Sequence, residues 1–338
     1  DGPVREAYKA NGIDCIVDDG FAASPSVFSN YERDVAAIAA RLRDLAPDLV
    51  FANTLDCFPI IDAAHLADVP SVWNIRESEP WRERLADRNV NIAARALACF
   101  DYAHSVVFVA AASQENWSPF CRRGQASVIY NAPAPFEPLQ DKNKLRARFG
   151  WGDDDTVLLS LGAVCPRKGQ EDLVAALHLL PPQSRDAIKA VFVGAPEAAY
   201  VKTLENLMTA EVCKRCEFIG SVDNPLDYLA AADLLVNTSR SEAFPRVFLE
   251  AAGLRTPMIA TPVNGAFERM EHMSSVWFYS VGDHASLAEA IESLRNSAER
   301  RKSLADGAYA ALVEKWSFND MVAAYDRTLK AALVNADA

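Results

Sequence analysis

Short apolar, β-branched runs recur along the chain, with stretches of helical periodicity between them. Asp48–Asn53, Ser71–Ile75, Ser105–Ala110 and Ser127–Tyr130 form a first group. Thr156–Val164, Ala190–Gly194, Glu217–Val222, Leu234–Thr238 and Met258–Thr261 form a second. Continuous apolar runs of this length predict strands buried on both faces, and the helical stretches supply the crossovers that parallel neighbours need. The expected class is α/β. Between the groups, Asn131–Pro138 holds three prolines in six residues. Proline fixes φ and removes a donor, so this segment predicts an extended linker between two α/β halves. A short helix is expected at Lys142–Phe149. The tail from Trp316 to Ala332 sets Phe318, Met321, Val322, Tyr325 and Leu329 at helical spacing, an amphipathic pattern that needs an apolar surface to cover. No short internal repeat or low-complexity segment interrupts the pattern.

Composition narrows the function. With 338 residues, 50% of them hydrophobic, the chain exceeds the roughly 250–300 residues at which single cores stop growing, so two domains are expected. Thirty-four basic residues against 46 acidic give a net charge of −12. That balance repels a phosphate backbone and argues against a nucleic-acid partner. There is no apolar run of about 18 residues, and the first residues lack the layout of a signal peptide, so a soluble cytoplasmic protein is expected. Seven scattered cysteines, at 15, 57, 99, 121, 165, 213 and 216, fit a reducing compartment better than a disulfide framework.

Several weak chemical signals are set aside. Cys213 and Cys216 form one CxxC without a second pair, half of a zinc site. Asp153-Asp154-Asp155 lies in a turn before a strand, and His65, His104, His178, His272 and His284 have no metal-ligand spacing. No metal is therefore expected. Gly162 and Gly169 do not fit G-x-G-x-x-G, so no dinucleotide cofactor is expected. Trp81, Arg82, Arg84, Arg88 and Arg95 fall on one predicted helix after Glu79-Pro80, interleaved with Glu83 and Asp87. That helix presents either a solvated face or a face for the anionic inner surface of a membrane.

The most informative stretch is Asn237–Thr261, where a strand ends, a loop turns and a helix begins. Pro245 suits the first helical turn, and Gly253 with Pro257 closes the helix. Glu242 is then in the loop and Glu250 on the second helical turn. The first N–H groups, near Arg246 and Val247, point toward Glu242 with the positive helix end behind them. By spacing alone, two solvated acids around a helix start would look the same.

The surrounding residues resemble the E-x7-E signature of retaining glycosyltransferases of family 4 (glycosyl transferases group 1), written E-G-F-x followed by a helix L-L-E-A-M-A-x-G. Glu242-Ala243-Phe244-Pro245 and Glu250 match it. Lys168-Gly169, in the stretch from Leu161 to Leu173, is similar to the family's donor-phosphate loop G-R-x-x-x-x-K-G. Phe218–Asn224, with Val222, is similar to its base-contacting turn. Ile129–Asn131 resembles its interdomain N-G-V-D segment, and Thr261–Gly265 with Glu268 resembles T-x-x-G-G-x-x-E. The resemblance covers nearly the whole chain.

It implies a GT-B architecture: an N-terminal Rossmann-like acceptor domain (1–135), a C-terminal Rossmann-like donor domain (136–315) and a helix (316–338) that returns to the first domain. It also implies transfer from a UDP- or GDP-sugar to a glycan or lipid-linked acceptor, with retention of configuration and no metal or further cofactor. Glu250 would accept hydrogen bonds from the ribose, and Glu242 would hold a hydroxyl of the donor sugar near the reacting carbon. Lys168, Arg167 and the helix N–H groups would stabilise the leaving diphosphate. Gly162, Lys168, Val222, Ala243, Phe244, Pro245, Arg246, Val247 and Glu250 would line the donor site.

Three departures stand out. The family's phosphate-binding Arg is Ala163 here, so Arg167 is expected to supply that cation. The first-domain His is Arg76, a permanent charge that cannot act as a neutral imidazole. Arg76 either pairs with Glu77 or Glu79, or contacts acceptor or leaving phosphate, with Arg76 and Glu77 then on the acceptor side. The chain opens where the family's first helix ends, so part of the first domain is expected to be absent. Two other readings compete: a non-catalytic domain that binds nucleotide or glycan within a larger protein, and a sugar-nucleotide epimerase, which lacks its first-half histidine and carboxylates here.

Overall fold

The computed structural model describes residues 3–16, 27–135, 141–263 and 265–336. Their strands form two parallel sheets. The first, in the order β1-β2-β3-β4, consists of β1 (Val50–Asn53), β2 (Ser71–Ile75), β3 (Ser105–Phe108) and β4 (Ala126–Val128). The second has six strands: β5 (Thr156–Leu161), β6 (Ile188–Val193), β7 (Cys216–Gly220), β8 (Leu234–Asn237), β9 (Met258–Ala260) and β10 (Trp277–Phe278). Its order is β10-β9-β8-β5-β6-β7. Each of the nine apolar runs carries a strand. The tenth, β10, is two residues long and pairs only with β9, too short to leave a run in the sequence.

Alternate residues of a strand face opposite sides of its sheet, and both sides are filled. Val157 and Leu159 of β5 join one buried cluster with Phe248 and Leu249, while Leu158 joins another with Leu173 and Leu177. In the first sheet, Trp73 and Ile75 pack with Phe58, Phe100 and Trp117. The opposite side, at Val72, Val107 and Ile129, is met by Met321, Tyr325 and Leu329 of the helix Phe318–Ala336. Trp316 precedes that helix, and its indole Nε1 donates to the Tyr130 carbonyl at 3.0 Å.

The basic segment after Pro80 is two helices, Trp81–Arg84 and Val90–Tyr102, and so presents no single basic face. Arg84 and Arg88 pair with Asp56, Arg95 pairs with the buried Asp62, and Arg82 lies over the Trp81 ring. The linker's Asn131–Pro135 has no regular structure. Its remainder, together with Asn264 and the opening Asp1-Gly2, lies outside the described residues. All seven cysteines are free thiols. Among the described residues no helix is long and apolar enough to cross a membrane.

Candidate active site

In the second sheet the chain runs from β5 outward through β6 and β7, then returns to the other side of β5 with β8. The strand order thus reverses between β5 and β8. Loops leaving the carboxyl ends of adjacent strands diverge at such a switch point and open a crevice. Here those loops are 162–170 after β5 and 238–245 after β8. The first carries Arg167 and Lys168, the second Glu242.

Two hydrogen bonds to backbone carbonyls hold the loops together. Arg240 N donates to the Arg167 carbonyl at 2.8 Å, and Thr238 Oγ1 donates to the Lys168 carbonyl at 2.7 Å. Gly169 makes this approach feasible: its φ is +61°, and a Cβ there would lie 2.4 Å from the Thr238 carbonyl oxygen. Gly194, at the end of β6, is constrained in the same way, since its Cβ would lie 2.0 Å from the Gly162 carbonyl oxygen.

The juxtaposed side chains form a charge cluster. Glu242 Oε1 accepts from Lys168 Nζ, from Arg167 Nη1 at 3.1 Å and from Ser239 Oγ at 3.1 Å. Arg167 Nη1 also donates to the Ser241 carbonyl at 3.0 Å. Lys168 and Glu242 are each 14% exposed and Arg167 is 48% exposed, so the first two are largely desolvated and Arg167 faces solvent. Arg167 thus stands at the same carboxylate as Lys168, four residues after Ala163, the position of the family's arginine.

The helix Arg246–Gly253 begins one residue later than expected. Pro245 is its N-cap rather than part of its first turn, with φ −65° and ψ 121°. Phe248 N donates to the Pro245 carbonyl at 3.1 Å, which leaves the N–H groups of Arg246 and Val247, both residues that line the crevice, without intrahelical acceptors. Glu250 is 20% exposed and receives Arg246 Nη2 at 3.2 Å. A cavity of about 410 Å³ brings together Gly162, Lys168, Val222, Glu242, Pro245, Arg246, Val247 and Glu250. Ala243 and Phe244 are not on its wall. Phe244 is buried in the core and rests near Tyr130, with ring centroids 6.0 Å apart.

Arg76 and Glu77 lie elsewhere, and the ion-pair reading of Arg76 fails. The Glu77 carboxylate accepts from the backbone N–H groups of Leu55 (2.8 Å) and Arg76 (2.9 Å). Burial pushes its carboxyl above the ordinary value of 4.5 despite those bonds. The Arg76 side chain forms no ion pair among the described residues and lines a separate cavity beside Asn53, Asn74 and Tyr325.

Two features had no legible signal, the Asp172 cluster and the Ser78–Ser241 junction, and a third gives Glu268, a residue of the T-x-x-G-G-x-x-E resemblance, partners that the sequence does not show. Asp172, 1% exposed, accepts from Arg240 Nη1 (2.6 Å) and Nη2 (2.7 Å), Tyr279 Oη (3.2 Å), Gly282 N (3.0 Å) and His284 Nε2 (3.1 Å). Burial raises its carboxyl, but the bonds from Arg240 and Gly282 outweigh that and hold it below the ordinary 3.8. This strut anchors the Glu242 loop to the helix Glu171–Leu179. Glu268 accepts from Ala111 N (2.7 Å) and Ala112 N (2.8 Å), joining the second sheet's half to the first. Ser78 Oγ and Ser241 Oγ, 3.4 Å apart, make a second junction. Gly194 is the one omission that a sequence could suggest, as a glycine directly after an apolar strand.

Comparisons with known proteins identify the family and the fold. The family model for Glycosyl transferases group 1 matches residues 141–311. D-inositol 3-phosphate glycosyltransferase of Jonesia denitrificans is 30% identical over 217 residues, 60% of this chain and 51% of that protein. N-acetyl-alpha-D-glucosaminyl L-malate synthase of Bacillus anthracis is 24% identical over 187 residues, 55% of this chain and 48% of that one. The chain therefore spans about half the length of the curated relatives it matches. Among solved structures, Anabaena Alr3699/HepE in complex with UDP and glucose superposes with a TM-score of 0.81 at 26% identity, covering 98% of this chain and 90% of that one. The same protein in complex with UDP-glucose gives 0.80 at 25% identity, with the same coverage. The architecture is GT-B, two parallel-sheet halves that meet across a crevice.

Proposed function

The chain belongs to the glycosyl transferases group 1 family, and we propose that it moves a sugar from a nucleoside-diphosphate sugar to a glycan or lipid-linked acceptor, retaining configuration and using no metal. The observation that carries this is the cavity at the β5/β8 switch point, which is lined by Lys168, Glu242, Glu250 and the start of a helix. UDP-glucose is the first donor to test, because the Anabaena neighbour was solved in complex with it.

In this reading the diphosphate rests against Lys168, Arg167 and the first-turn N–H groups of the helix Arg246–Gly253. Those groups are fixed before substrate arrives, so they stabilise the charge that develops as the sugar–phosphate bond breaks without reorganising. Lys168 and Arg167 already share Glu242. Donor binding therefore exchanges a carboxylate for a phosphate on each cation, and releases Glu242 to accept from a sugar hydroxyl. Glu250, released from the exposed Arg246, accepts from the ribose. The leaving phosphate takes the acceptor's proton as the acceptor oxygen attacks the same face of the sugar, so no side-chain base is required.

Isothermal titration with UDP-, GDP- and ADP-sugars, followed by turnover assays with and without EDTA, tests this. Binding of one donor class is expected, with turnover unaffected by EDTA. Glu250→Ala should weaken nucleotide binding, while Glu242→Gln should lower turnover more than affinity. A folded protein that binds none of the donors would overturn the reading.

A further inference from the structure

We propose that the cavity at the carboxyl ends of β1 and β2 is an acceptor subsite for a saccharide bearing a carboxylate or phosphate group, recognised by Arg76; this rests on the transferase reading above. The cavity holds about 600 Å³, within the range of small-ligand sites. Arg76 is the only charged side chain on its described wall, and it has no ion pair among the described residues. In a chain of net charge −12, such a guanidinium is conspicuous. The neighbouring Arg84, Arg88 and Arg95 all have carboxylate partners. The nearest acid in sequence, Glu77, is turned onto the N–H groups of Leu55 and Arg76. A partly desolvated guanidinium with a planar fork of donors favours an anionic oxygen pair over water.

The rest of the wall suits a sugar. Asn131 is 9% exposed, faces the cavity, and makes no side-chain hydrogen bond among the described residues. Asn74 is held in one orientation, donating to Asn53 Oδ1 at 2.8 Å and accepting from Tyr325 Oη at 3.1 Å. That leaves the Asn53 amide N–H₂ free to donate. Phe51, 45% exposed, meets Tyr325 edge to face with ring centroids 6.0 Å apart, an apolar platform for the C–H face of a pyranose. The location also fits. Arg76 is two residues before Ser78, whose hydroxyl is 3.4 Å from that of Ser241, the residue preceding Glu242. Two residues span at most about 7 Å of chain, so the Arg76 end of the cavity is close to the residue that touches the Glu242 loop.

The test is isothermal titration of the full chain with D-glucuronate, D-glucose 6-phosphate and neutral D-glucose, with and without saturating UDP. The charged probes should bind at least about tenfold more tightly than glucose, with UDP leaving that preference intact. Arg76→Gln should abolish the preference, and Arg76→Lys should keep part of it. Asn131→Asp, which places a carboxylate on the same wall, should reduce it without removing Arg76 and serves if Arg76→Gln does not fold. The proposal is overturned if neither charged probe binds, if charged and neutral probes bind alike, if the preference survives Arg76→Gln, or if UDP displaces the anion. Displacement by UDP would mean that the anion occupies the Lys168 site. Failure of the transferase reading looks different, since no nucleotide sugar would then bind.

Discussion

Replacing Arg240 with Ala should cost about 2–3 kcal/mol of stability and loosen the Glu242 loop. Arg240 gives Asp172 two charge-assisted bonds, at 2.6 and 2.7 Å, and gives Glu171 a third at 2.8 Å. Breaking a buried ion pair by removing one partner costs about 3–5 kcal/mol, because the remaining charge is left uncompensated. Two features lower that figure here. The guanidinium is 27% exposed, so water screens part of the interaction. Asp172 also keeps Tyr279, Gly282 N and His284 as donors after the substitution. The expected cost therefore falls to the bottom of that range or just below it, about 2–3 kcal/mol. Urea unfolding of parent, Arg240→Ala, Asp172→Asn and the double variant forms a mutant cycle, with a coupling above about 1 kcal/mol expected. Because the lost side-chain bonds anchor the loop that carries Glu242, nucleotide affinity should also fall in Arg240→Ala, although the backbone bond from residue 240 N to the Arg167 carbonyl survives the substitution. A coupling below about 0.5 kcal/mol would refute the claim that this pair is the strut between the Glu242 loop and the helix Glu171–Leu179.

Other outcomes follow from the same geometry. Gly169→Ala should destabilise by about 1–3 kcal/mol, because φ is +61° and the added Cβ would meet the Thr238 carbonyl oxygen; an unchanged Tm would refute the close approach. Asp172 and Asp233 have carboxyls held below the ordinary 3.8, in Asp233 by Lys142 and the Val157 N–H against the effect of burial. A depressed folded value contributes stability above the unfolded value and loses it as pH falls through the folded one, so the urea midpoint should drop below about pH 3.8. Asp172→Asn should flatten that drop, and an identical acid slope would count against it. Trp316→Phe removes the indole donor to the Tyr130 carbonyl and should cost about 0.5–1.5 kcal/mol in urea unfolding; no measurable change would show that water replaces the bond.

What the sequence by itself determined was local or periodic. Each of the nine longer strands lies in a run rich in apolar residues, most nearly continuous where both faces are covered, as in β5 and β6, whereas β1 alternates buried and exposed positions. The helix Lys142–Phe149 is equally legible, bounded by Asp141 as N-cap and a left-handed Gly150. The segment from Asn237 to Gly253 could be read as strand, loop and helix, and its two acids could be singled out, since capping and strand chemistry act over a few residues. The β10 strand leaves no trace because two residues make no pattern, and the basic stretch after Pro80 reads as one helix because charge spacing does not reveal the break at residues 85–89.

Only the tertiary structure decided which groups meet. Glu242 reaches Lys168 because β5 and β8 are neighbours, although 74 residues separate the two side chains. Asp172 finds Gly282 N across 110 residues, and no periodicity encodes that meeting. Glu77 was a candidate partner for the adjacent Arg76, yet its carboxylate turns to Leu55 N, 22 residues away. Which donor reaches a buried carboxylate depends on how sheets and crossovers place backbone N–H groups in space. Hydrophobic pattern specifies the strands, and the order in which they pair specifies the charges that face one another.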